Sequence, residues 1–188
     1  TGATGPAGAN GSNGTTILHN DLTPGTTSSG TYALFSNDKV YSVPSGTLAT
    51  NGDKLEVTVM FTLSNTIEAK QSGGFYQILI GGTDIAGALT SIPYGGNNSI
   101  DPTITGVNSQ YRAKLEISRV SSTSLMVHSD SYWSEAGGMT RATHHFSNIA
   151  LTVADVTANA LAIQIKGKTS FANDSLTCNQ LNVNNLIQ

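Results

Sequence analysis

From about residue 31 the chain alternates apolar and polar positions with a period of two. Lys54 to Leu63 is the clearest stretch: Leu55, Val57, Val59, Phe61 and Leu63 fall on one side, and Glu56, Thr58, Met60 and Thr62 on the other. That spacing predicts a half-buried β-strand, because successive side chains of a strand point to opposite faces. Tyr111, Ala113, Leu115 and Ile117 repeat it against Arg112, Lys114 and Glu116. So do Leu161, Ile163 and Ile165, and, more briefly, Leu125 and Val127. Phe75 to Ile80 is more continuously apolar and predicts a central strand covered on both faces.

Turn residues punctuate these runs. Asn37-Asp38 separates two short strands at 31–36 and 39–43, and Asn51-Gly52 precedes the strand at 54. Gly73-Gly74 and Gly81-Gly82 bracket 75–80, and Gly95-Gly96-Asn97-Asn98 with Asp101-Pro102 marks a long loop. Ser121 to Ser124 predicts a hairpin tip joining 111–120 to 124–133. Segment 150–160 has room for one helical turn, and Ser175 to Gln188 reads as a closing strand with a bulge or as a tail packed on a neighbouring subunit. About eight short strands with irregular loops and no long helical period predict an all-β sandwich.

The amino end follows another rule. Glycine stands at Gly2, Gly5, Gly8, Gly11 and Gly14, a strict period of three that stops where Ile17 replaces the next glycine. Glycine's overall frequency would produce such a run by chance with a probability on the order of 10⁻³ over the chain. The period belongs to collagen, where three polyproline-like strands wind so closely that only glycine fits at the axis, and it therefore predicts three chains. Thr1 takes the third place of an earlier triplet, so the collagen-like stretch is expected to continue upstream. The expected divisions are a shaft end at 1–14, a neck at 15–30 and a β-sandwich head at 31–188.

Composition narrows the partners. Charged residues are 11% of the chain against about 25% in ordinary domains, and Thr, Ser and Asn supply close to a third. Hydroxyls and amides rather than ions therefore hydrate the surface. A net charge of −3 with no basic block argues against nucleic acid. No apolar run approaches the roughly 18 residues of a membrane-spanning helix. One cysteine, Cys178, makes no internal disulfide and reads as a small buried apolar residue.

A collagen-like repeat feeding an all-β domain of this size resembles the C1q/tumour-necrosis-factor architecture, a jelly-roll knob that trimerises at the end of a triple-helical stalk. The aromatic-rich strand motifs of animal members are absent here, Phe being 5 of 188 residues. The Asn/Thr/Ser/Gly-rich, low-charge composition is similar instead to viral and phage fibre knobs, in particular the trimeric vertex spike of the tectivirus type. Collagen-like spore-coat proteins share the plan. The resemblance implies a structural virion protein on the capsid surface. Its partners would be two further copies of itself, other vertex proteins and a host glycan or receptor. It would need no cofactor, insert in no membrane and catalyse nothing.

Motifs for catalysis or metal binding are missing: no nucleophile elbow, no His-Glu-x-x-His, no phosphate loop. His144-His145 are adjacent, which on a strand sends them to opposite faces, and His128 with Asp130 reads as part of a polar row. A calcium site in the 95–101 loop would use Asp101 and carbonyls. Tyr132 and Trp133, the latter the one tryptophan, form the candidate ligand or receptor surface, because a flat aromatic ring is a platform for a sugar. The competing expectations are that Trp133 fills the core or the trimer axis, and that the chain is a monomeric carbohydrate-binding module or glycan depolymerase domain with residues 1–16 as linker.

Overall fold

The computed structural model describes residues 14–64, 73–84, 91–93, 109–134, 140–169 and 174–187. Among them run thirteen strands and no helix. They are β1 (Gly14–Asp21), β2 (Gly25–Thr27), β3 (Ala33–Leu34), β4 (Val40–Val43), β5 (Lys54–Ser64), β6 (Gly73–Ile80), β7 (Thr83–Asp84), β8 (Ser91–Pro93), β9 (Ser109–Ser121), β10 (Ser124–Ser134), β11 (Thr140–Thr152), β12 (Leu161–Thr169) and β13 (Ser175–Ile187).

Every pairing is antiparallel, and the strands form two sheets. The larger has the order β1-β13-β5-β9-β10-β11, with β2 also on β13; the smaller has β3-β12-β6-β7, with β4 on β12 and β8 on β6. The chain is an all-β sandwich, as the alternation predicts. β1 and β2 join the larger sheet from within the stretch expected as a neck.

The core is the set of inward positions. On β5, Leu55, Val57, Val59, Phe61 and Leu63 are all buried, and Tyr111, Ala113, Leu115 and Ile117 of β9 lie beside them. The smaller sheet answers with Tyr76, Ile78 and Ile80 of β6 and Leu161, Ile163 and Ile165 of β12. Each such side chain contributes roughly 1.5–3 kcal/mol on leaving water. Four aromatic rings join the two sheets: Phe61 lies 4.8 Å from Tyr76 and 6.1 Å from Phe35, and Tyr76 lies 5.3 Å from Tyr111. Tyr76 donates its hydroxyl to that of Tyr111 at 2.8 Å. Burial first, and the neighbouring Tyr111 second, push the Tyr76 phenol well above its ordinary range.

The expectation for β6 changes, and the single turn expected in 150–160 holds. β6 is not covered on both faces: Gln77 and Leu79 are half-exposed between buried Tyr76, Ile78 and Ile80. Residues 155–159 make a single turn, with the Asn159 N–H donating to the Asp155 carbonyl at 2.8 Å, and no helix follows.

Gly167 of the smaller sheet sits tightly against residues of the larger one. A Cβ there would stand 2.7 Å from Phe35 Cζ and 3.0 Å from both Leu176 Cδ2 and Thr27 Cγ2. Gly167→Ala is therefore expected to destabilise the sandwich by about 1–3 kcal/mol through overpacking. Gly30→Ala, with nothing within 4 Å of its Cβ, serves as the control. Urea midpoints that coincide for the two variants would contradict this packing.

Candidate functional site

The register gives the sandwich two distinct ends. Gly14 pairs with Ile187, Leu186 with Lys54, and Lys54 with Ser118, so the start of β1 lies at the same end of the sheet as the β9–β10 turn at 121–124. β5 spans roughly 33 Å from that end to the other. At the far end Leu63 pairs with Ser109, Ser64 with Ser175, Ser134 with Gln110 and Thr140, and Thr169 with Gly74. The strand ends that flank 65–72, 94–108, 135–139 and 170–173 all lie at this far end.

Short cross-braced turns close the Gly14 end. The Gly52 N–H, at φ 96°, donates to the Arg119 carbonyl, and the Arg119 N–H donates to the Asp53 carbonyl, both at 2.9 Å. Only glycine adopts such a positive φ at low cost. Asp53 accepts from the Thr50 N–H at 2.7 Å and the Thr50 hydroxyl at 2.9 Å. Arg119 reaches across to donate to the Leu48 carbonyl at 2.9 Å. Asp155 accepts from the Thr157 hydroxyl at 2.6 Å and its N–H at 2.9 Å, and these two bonds hold its carboxyl below the usual range.

An ion pair with a buried lysine and a half-buried aspartate pins β1 to the opposite sheet. Lys39, fully buried just before β4, sets its Nζ 2.6 Å from Asp21 Oδ2 at the end of β1, and donates also to the Thr23 carbonyl. Burial works to raise the Asp21 carboxyl. The Lys39 hydrogen bond, the Thr23 N–H and the Lys39 charge outweigh it and hold it below its ordinary value. Two residues back, His19 stacks on Tyr41 with ring centroids 4.5 Å apart. Sequence reasoning missed this clamp. Its partners lie 18 positions apart, and a lysine between Asp38 and Val40 reads as a surface residue.

The outer face of the larger sheet is charged in its middle. Lys54–Glu116 at 2.8 Å and Glu56–Lys114 at 2.6 Å are diagonal pairs that offset the directly opposed Glu56 and Glu116. Half-exposed as they are, each contributes less than about 1 kcal/mol. His128, exposed, stands opposite Glu116, and Asp130 opposite Lys114, so the backbone sets both in this polar row. Among the described residues no three His, Cys, Asp or Glu side chains gather as a metal site. Cys178 is buried, and burial pushes its thiol up to about 12, which keeps it protonated and unreactive.

The singled-out residues divide between the ends. Gly14, last of the periodic glycines, is the first residue of β1; Gly2, Gly5, Gly8 and Gly11 lie outside the described residues, as does the 95–101 loop with Asp101. Tyr132 and Trp133 sit at the far end of β10, opposite Arg112 and Tyr111 in the backbone register. His144 and His145 lie on β11, opposite Ser131 and Asp130.

No family model and no curated protein sequence matches the chain. Among solved structures it is similar to the CBM2 module of the evolved Dit of Lactobacillus casei BL23 phage J-1. That similarity has 8% identity over 93% of this chain and 97% of that one, with a TM-score of 0.37. It is also similar to a protein of unknown function from Shewanella oneidensis MR-1, with 11% identity over 92% of this chain and 79% of that one, and a TM-score of 0.37. At these values neither similarity assigns a function.

Proposed function

We propose that the chain is the head of a homotrimeric, collagen-stalked fibre or spike on a virion surface, a jelly-roll-like knob with a structural and attachment role and no catalysis. The observation that carries the reading is the polarity of the sandwich. The periodic glycines run directly into β1 at one end, which is closed by braced turns. At the far end, roughly 33 Å away, lie Tyr132 and Trp133 of β10. On this reading a stalk enters at the Gly14 end, and the end carrying Tyr132 and Trp133 is presented to a host glycan or receptor or to a second virion protein. Weak contacts at three knobs on one stalk add by avidity.

The stalk is tested at its glycines. Gly8→Val crowds the axis of a triple helix and is expected to lower the temperature at which the trimer dissociates, whereas Ala9→Val, beside it, leaves that temperature nearly unchanged. Light scattering during a thermal ramp reads both. If the two variants behave alike, residues 1–14 act as a linker.

A further inference from the structure

We infer that the free edge of β1 is the seam on which copies of this chain meet, with Ile17 at its centre. The inference rests on the trimeric reading above and adds the surface through which the copies touch.

β1 is the terminal strand of the larger sheet's path: β13 lies on one side, and among the described residues no strand lies on the other. Such an edge is a template for association unless something covers or blunts it. No charged residue blunts it between Gly14 and Asn20. Instead it carries Ile17, which at 65% exposure exceeds every other large apolar side chain described. Directly opposite Ile17 on the ladder stands Asn184, nine-tenths buried, whose Oδ1 has no hydrogen-bond partner. Asn182, opposite Asn20, has a buried Oδ1 in the same condition. Ile17 and the two amides share the outer face of the sheet beside this edge, because Asn182 and Asn184 stand opposite Thr58 and Glu56 of β5; that strip is short of an apolar cover and of hydrogen-bond donors, and buried amide oxygens normally have donors. A neighbouring copy supplies both.

Chain connectivity identifies the occupant as a second copy. Glycines of a collagen repeat lie at the axis shared by three chains, and Gly14 ends that repeat while opening β1. Ile17 follows three residues later, within at most about 11 Å along the chain. Under threefold symmetry a residue beside the axis faces its own counterparts. Leu22, at 60% exposure, follows the other end of β1, eight residues beyond Gly14, and the remaining exposed apolar residues lack this constraint. Val120, at 49% exposure, shares this end of the sandwich but sits on β9, three strand spacings or about 14 Å from β1. Leu34 and Val40 belong to the smaller sheet.

The test is disulfide trapping in the full 188-residue chain. Ile17→Cys is oxidised with copper phenanthroline and run on a non-reducing gel, with Val120→Cys in parallel; buried Cys178 gives no background. Two of three axial cysteines pair, so Ile17→Cys is expected to yield a strong covalent dimer band and Val120→Cys almost none. Ile17→Asp, at an exposed site, is expected to stay folded by circular dichroism while the trimer's dissociation concentration rises about tenfold or more. A trimer that shows neither trapping at 17 nor weakening by Ile17→Asp overturns the seam and leaves the trimer standing. Equal trapping at 17 and 120 also overturns it. A monomer in every sample overturns the trimeric reading itself.

Discussion

Asp21→Ala is expected to destabilise the sandwich by about 3–5 kcal/mol, because it strands the Lys39 ammonium in the interior with the Thr23 carbonyl as its partner. Lys39→Met is expected to cost much less, roughly 1 kcal/mol, since it replaces the buried charge with an apolar chain of similar length. The asymmetry separates a stranded charge from a lost contact. The pair also has a pH signature. The Asp21 carboxyl titrates below its ordinary value in the folded chain. Its stabilisation is therefore present in full above the unfolded value of about 3.9 and is lost as pH falls through the lower folded value. Urea unfolding of the wild type and Asp21→Ala from pH 7 downwards should show a constant gap that closes below about pH 4. Equal midpoints at pH 7 would show that the pair does not hold β1. The clamp matters to the proposed assembly because β1 is the strand that follows the glycine repeat, so a pull on the stalk reaches the head through it.

Phe61→Ala is expected to have an effect of the same size, about 3–5 kcal/mol. The ring is 1% exposed and lies among Phe35, Tyr76 and Tyr111, with centroids 4.8 to 6.4 Å away. Removing it opens a cavity between the sheets that the strands cannot close. For a chain of this length the melting midpoint should fall by roughly 10 °C. A fall under about 2 °C would mean that the aromatic cluster is not what joins the sheets.

The sequence displays the strands whose inward positions are consistently apolar. β5, β9 and β12 alternate strictly and are legible without a structure, and β10 alternates over its first half, with Leu125 and Val127 buried. β13 is legible only in part, and its bulge is the reason. The register slips between Cys178 and Gln180, so the inward set Leu176, Cys178, Leu181 and Val183 loses its period of two at Asn179. Its place between β1 and β5, inside the sheet, follows from pairing that local pattern does not encode. β1 and β2 are threonine-rich segments with few apolar positions, and the apolar residues of β11 follow no period of two; all three pair with neighbouring strands through ladder hydrogen bonds. Nor does the sequence show that Lys39 turns inward, since the carboxylate that compensates it comes from another strand. The candidate site is legible as two ingredients, the glycine period and the Tyr132-Trp133 pair. That Gly14 and the Tyr132-Trp133 pair lie at opposite ends of the sandwich emerges only from the register of β1, β13, β5, β9 and β10.

The central claim is that three copies of the chain share one stalk, and sedimentation equilibrium of the 188-residue protein at micromolar concentration tests it most directly. A particle of three times the 19.5 kDa protomer mass is the predicted result. A single species of 19.5 kDa across the concentration range would contradict it.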